Sequence, residues 1–98
     1  MSEDKYKCLR HLLGSYLHQD WKLEFPTPCD AIAAFREKEP TECVQGACKE
    51  LEEVIPFVER MQDADTFLWQ DLWCYYSPKT DGLSVADWFR QVRDKLCA

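Results

Sequence analysis

Apolar side chains recur along this chain at intervals of three and four, and the recurrence restarts after clusters of Gly, Pro, Asp or Ser. Tyr6, Leu9, Leu13 and Tyr16 set the first stripe, and Leu12 and Leu17 widen it. They predict an amphipathic helix over residues 4–18. Gly14 weakens that helix by about 1 kcal/mol relative to Ala, which suits a point where a neighbouring helix crosses closely. Residues 20–26 are too few and too mixed for another helix. Trp21, Leu23 and Phe25 alternate there and predict a connector pinned to the core.

The second helix opens at Thr27, with Pro28 at its first position and Asp30 completing a capping-box-like pair. Ile32 and Phe35 form its short apolar face, and Glu39-Pro40 stops it. Thr41 then caps a third helix whose stripe is Val44, Cys48, Leu51, Ile55 and Val58. Pro56 removes the bond to the Glu52 carbonyl, so this stretch is either one bent helix or two short ones. Asp63 or Asp65 caps a fourth helix that ends near residue 76. Phe67, Leu68, Trp69, Leu72, Trp73, Tyr75 and Tyr76 cover more than half its circumference, so it is central or offers surplus aromatic surface to something else. Residues 77–82 form a turn by composition. Ser84 and Asp87 cap a last helix with Val85, Trp88, Phe89, Val92 and Leu96 inward. With no convincing strand alternation and no repeat, the expectation is an all-α, compact single-domain bundle of about five helices spanning 1–98.

At 98 residues the chain can build one core without a staple. No apolar run approaches the roughly 20 residues that span a bilayer, and the charged start Met1-Ser2-Glu3-Asp4-Lys5 does not read as a signal peptide. The expected location is the cytoplasm. Six cysteines would permit a three-bridge secreted scaffold. The helical periodicity and the scarcity of Gly argue instead for reduced cysteines, with Cys8, Cys48, Cys74 and Cys97 acting as small hydrophobes on or beside apolar faces. No C-x-x-C pair exists, and Cys43 and Cys48 point to different sides of a helix, so no metal site is expected.

The net charge of −6 repels phosphate backbones and disfavours nucleic acid. It suits a basic protein partner, or does no more than keep the chain soluble. Glu50, Glu52, Glu53, Glu59, Asp63 and Asp65 form an acidic stripe with no ligand pattern to organise it. A solvated helix face is the ordinary reading, and contact with Lys and Arg on a partner the sharper one. His18 and Asp20 stand two apart without a supported nucleophile, so acid–base catalysis is not expected. The simpler role is local: Gln19 or Asp20 caps the first helix and His18 bonds neighbouring backbone beneath Trp21. His11 reads as a surface residue.

One pattern goes beyond these generalities. A leucine-rich first helix runs into Gly14-Ser15-Tyr16-Leu17-His18-Gln19-Asp20-Trp21, and Tyr75-Tyr76-Ser77-Pro78 precedes Asp81-Gly82 and a final helix bearing Trp88. In order and spacing the chain resembles the small helical immunity proteins of bacterial contact-dependent growth inhibition systems. The resemblance implies a non-catalytic bacterial protein without cofactor. Such a protein binds and neutralises the carboxy-terminal toxin domain of a cognate effector as a monomer in a 1:1 complex. It further implies a nuclease as the toxin, an RNase by preference. The motif residues His18, Gln19, Asp20, Trp21, Tyr76, Pro78, Asp81, Gly82 and Trp88 would then mostly support the fold. The partner would meet Glu52, Glu53, Glu59, Asp63, Asp65, Trp69 and Asp71. The alternative is a small acidic helical adaptor or regulatory subunit of a larger complex.

Overall fold

The computed structural model describes residues 6–97. Among them lie six helices, one 3-10 turn and no strand. The helices are α1 (Lys7–Tyr16), α2 (Trp21–Glu24), α3 (Pro28–Lys38), α4 (Thr41–Arg60), α5 (Ala64–Asp71) and α6 (Val85–Leu96), and the 3-10 turn is Pro78–Asp81. α4 is the spine. It packs chiefly against α6 and α1, while α3 closes the bundle over α6 and α1. Leu9, Leu12, Leu13, Leu17, Phe35, Ala47, Leu51, Val54, Leu72 and Phe89 have no solvent exposure and form one continuous core.

Two starts follow the sequence directly. The Thr27 hydroxyl oxygen accepts from the Asp30 amide at 3.3 Å and opens α3 behind Pro28. The Ser84 hydroxyl accepts from the Asp87 amide at 3.1 Å and opens α6, whose Val85, Trp88, Phe89, Val92 and Leu96 are all buried. The Asp63 carboxylate caps α5 through the Thr66 amide at 3.2 Å. α4 differs from expectation: Pro40 holds its N-cap position, Thr41 is already helical, and no side chain caps it. Nor does Pro56 break α4, which runs unbroken for 20 residues. Glu52 and Pro56 are both exposed, so the carbonyl that loses its amide partner faces water, while Val54, Ile55 and Val58 remain buried on the opposite side.

α1 closes at Tyr16 rather than His18, with the Leu17 amide bonded to the Leu13 carbonyl; its expected first residues lie outside the described ones. Its first turn is capped from afar, because the Glu50 carboxylate on α4 accepts from the Cys8 and Leu9 amides at 3.2 and 2.8 Å. A negative charge at a helix N-terminus satisfies both the free donors and the dipole. Glu50 therefore belongs to the packing and not to a solvated face. Gly46 allows the close approach this needs, since a Cβ there would sit 2.6 Å from the Cys8 sulfur. At Gly14 the close neighbour is Trp73, 3.3 Å from where a Cβ would stand, and not a crossing helix.

The connector after α1 contains the one-turn helix α2, formed by amide bonds from Leu23 to Asp20 and from Phe25 to Trp21. Within it Trp21 is buried and Phe25 stacks on Tyr16 at 6.1 Å, but Leu23 is 85% exposed, so the expected alternation fails at its middle member.

The largest departure follows α5. The helix stops at Asp71, Leu72 caps it still in the right-handed region, and Trp73 takes a left-handed backbone with φ 59°. From there the chain is extended, and burial alternates: Leu72, Cys74, Tyr76 and Pro78 face in, while Trp73, Tyr75 and Ser77 face out. The Tyr75 amide ties this segment to the Leu17 carbonyl at 2.8 Å. Gly82 ends the 3-10 turn with φ 76°, a conformation that carries no penalty without a Cβ.

The cysteines also depart from expectation. Cys48 of α4 and Cys97, just beyond α6, are joined in a disulfide across 6.0 Å between Cα atoms. Cys8, Cys29, Cys43 and Cys74 remain thiols. Burial pushes the Cys74 thiol up to about 12, so it behaves as a small hydrophobe.

Candidate functional site

The structure gathers the separated motif residues at one end of the bundle. Trp21 meets Tyr76 edge-on at 5.6 Å, and Tyr76 tilts onto Trp88 at 5.0 Å. The Tyr76 hydroxyl donates to the Asp81 carboxylate, which sits on the turn that Gly82 closes. Burial and this carboxylate hold the Tyr76 phenol well above its usual range, so it stays a neutral donor. Pro78 is buried beneath the turn. His18 accepts from the Asp20 amide at 3.1 Å through Nδ1, and its Nε2 lies 3.2 Å from Glu24. His18 thus bonds neighbouring backbone as expected. Neither Gln19 nor Asp20 caps α1, because the Leu17 amide turns back on Leu13 instead. The aromatic column joins α2, the extended segment and α6, which is how motifs more than 50 residues apart come to lie together.

The nominated acidic residues are distributed over α4 and α5. Glu52 and Glu59 stand two turns apart on one face of α4, with Glu53 a step round from them, and all three are exposed. Glu59 is paired with Arg90, which also reaches Asp87 at 2.7 Å. Asp63 holds the cap of α5 through both the amide and the hydroxyl of Thr66, which lowers its carboxyl below the usual range. Asp65 is half-buried. It lines a groove with Glu59 and Arg90 on one side and a hollow with Trp69 and Tyr75 on the other. Asp71 is exposed, and its carbonyl accepts from the Arg10 guanidinium at 3.0 Å. Glu52 borders a separate groove beside Cys48 and Cys97.

Exposed aromatic surface lies along α5 and the segment after it. Trp69, Trp73 and Tyr75 are 53%, 56% and 59% exposed. Trp73 carries the Arg10 guanidinium over its ring at 5.0 Å. A helix through residue 76 would have turned Tyr75 and Trp73 to different sides; the extended backbone turns both outward. The signal that could have found this is the in–out alternation from Leu72 to Pro78, which the density of aromatic residues masks. Large aromatics left half in water beside carboxylates form a surface that a partner can desolvate.

Adjoining this surface along α1, Cys8, His11, Glu39 and Cys43 border a cleft of about 640 Å³, and Trp73 forms part of its rim. Glu39 accepts from the Tyr16 hydroxyl at 2.9 Å and pairs with His11 at 3.2 Å, contacts that hold its carboxyl below the usual range. Burial, reinforced by the Glu39 carboxylate, pushes the Tyr16 phenol up to about 12.

Among the described residues, no helix is long and apolar enough to cross a membrane. No curated protein matches the chain. Among solved structures, it is similar to a chain of the CdiA-CT/CdiI complex from Y. kristensenii. That similarity has a TM-score of 0.84 at 22% identity and covers 94% of this chain and 98% of the other. At that identity the likeness establishes a common fold. The family model of the CdiI immunity protein matches residues 5–96, nearly the whole chain, and the chain therefore belongs to the CdiI immunity protein family.

Proposed function

We propose that this protein binds the carboxy-terminal toxin domain of a cognate contact-dependent inhibition effector and neutralises it by occupancy, one molecule to one, in the bacterial cytoplasm. Membership of the CdiI family over residues 5–96 carries the reading. The similar fold found in a CdiA-CT/CdiI complex supports it. The surface supports it too. An acidic molecule with net charge −6 is drawn to a cationic partner, and charge complementarity speeds the encounter. Covering Trp69, Trp73 and Tyr75 would then slow release, as desolvated aromatic anchors do.

The toxin that such a surface suits is a nuclease, an RNase by preference, whose cationic cleft grips phosphates. An acidic protein lodged in or over that cleft excludes the substrate by charge and by bulk. In this reading the partner meets Glu52, Glu53, Glu59, Asp63, Asp65, Trp69 and Asp71, extended by the outward Trp73 and Tyr75. His18, Gln19, Asp20, Trp21, Tyr76, Pro78, Asp81, Gly82 and Trp88 hold the end of the bundle that fixes the extended segment. No turnover and no cofactor are involved, and nucleic acid is not bound. Rescue of growth tests the proposal: cells expressing the toxin domain of the adjacent effector should survive when this chain is co-expressed. Continued killing, with both proteins present and folded, would reject it.

A further inference from the structure

We propose that His11, Glu39 and Cys43 form a binding site for a single zinc ion, with a water in the fourth position. Ligand atoms of His11, Glu39 and Cys43 lie within 4.8 Å of one another. The Cys8 thiol borders the same cleft but stands outside this group of three. A thiol, an imidazole and a carboxylate are donor types that zinc takes, and three protein ligands leave the fourth tetrahedral position to water.

Local geometry explains how the three converge. His11 stands on α1, one turn before Ser15. Glu39 and Cys43 straddle the Pro40 bend between α3 and the start of α4. A scan for C-x-x-C pairs misses this arrangement, because it holds a single thiol beside two harder donors.

The outer hydrogen bonds are those a metal site needs. The Ser15 hydroxyl lies 3.3 Å from His11 Nδ1 and holds the ring by that nitrogen, leaving Nε2 directed at the cluster. The Tyr16 hydroxyl donates to one Glu39 oxygen at 2.9 Å, leaving the other toward His11. Orienting partners of this kind fix first-sphere ligands and tune their basicity. The cleft that the three residues border gives an ion a way in from solvent.

The test uses the full-length protein with its Cys48–Cys97 bridge intact, stripped with a chelator. Titration with zinc chloride by calorimetry should show one equivalent bound. Cobalt(II) should give the intense visible bands of a tetrahedral site together with a near-ultraviolet sulfur charge-transfer band. Cys43→Ser and His11→Ala should each weaken binding beyond the roughly 10–100-fold that loss of a supporting group costs, whereas Cys29→Ser should leave it unchanged. X-ray absorption of the zinc-loaded wild type guards against variants that fail to fold, and should read one sulfur ligand near ~2.3 Å and three nitrogen or oxygen ligands near ~2.0 Å. Failure to take up one equivalent, affinity unmoved in folded Cys43→Ser and His11→Ala, or a shell without sulfur would each overturn the proposal.

Discussion

Trp69→Ala isolates the contribution of the aromatic surface to toxin capture. A Trp side chain offers up to about 250 Å² to burial, and with 53% of Trp69 in water about 130 Å² remains for a partner to cover. At ~25 cal/mol per Å² that is about 3 kcal/mol. Ordering and imperfect desolvation reduce what appears as affinity, so a loss of about 2 kcal/mol, or about 30-fold in Kd, is expected. Titration calorimetry against the purified toxin domain at fixed salt measures it, with far-ultraviolet circular dichroism and urea unfolding checking the fold. Trp69→Phe should fall between the two, because it retains much of the apolar surface. A natively folded Trp69→Ala with Kd within about threefold of wild type would amount to less than ~0.7 kcal/mol and would refute the reasoning.

The Cys48–Cys97 bridge closes a loop of sequence separation 49, which by chain entropy stabilises the fold by up to about 4 kcal/mol. Reduction, or Cys97→Ser, should lower the urea midpoint accordingly, and an unmoved midpoint would contradict the pairing. Ser84→Ala removes the hydroxyl that accepts from the Asp87 amide and should cost about 1 kcal/mol in thermal unfolding, because α6 carries a large part of the core. Glu39 has a carboxyl pKa lowered first by its bond from Tyr16, then by His11. Its folded value lies below the unfolded one, so its stabilisation is complete above the ordinary carboxylate pKa and fades as pH falls through the lowered value. The stability gap between wild type and Glu39→Gln should therefore close in acid, and a gap that persisted below that range would count against the Tyr16–Glu39 contact.

What could be read from the residues was whatever local chemistry decides. Thr27-Pro28 and Ser84 announce their helices because capping and the proline ring act within one turn. The stripe of α4 survives Pro56 because the lost bond falls on the solvent side, a fact that needs the neighbours α1 and α6 to be known. The end of α5 carries no such signal. Trp73 enters the left-handed region with neither Gly nor Pro to mark it, held against Gly14 from 59 positions earlier and by the bond from Tyr75 to Leu17. Glu50 reads as one more surface acid until α1 is brought over it. The disulfide joins residues 49 apart and was equally invisible. Of the candidate partner surface, Trp69 and the acids are legible as residue types. The outward turn of Trp73 and Tyr75 is a tertiary outcome.

The central claim is that this helical protein acts by sitting on one toxin domain and covering it. Titrating it into a fixed amount of the purified toxin, above the expected Kd, while following toxin activity tests this most directly. Activity should fall in a straight line and vanish at one equivalent. Activity that survives an excess, or that disappears at a small fraction of an equivalent through turnover, would contradict the account.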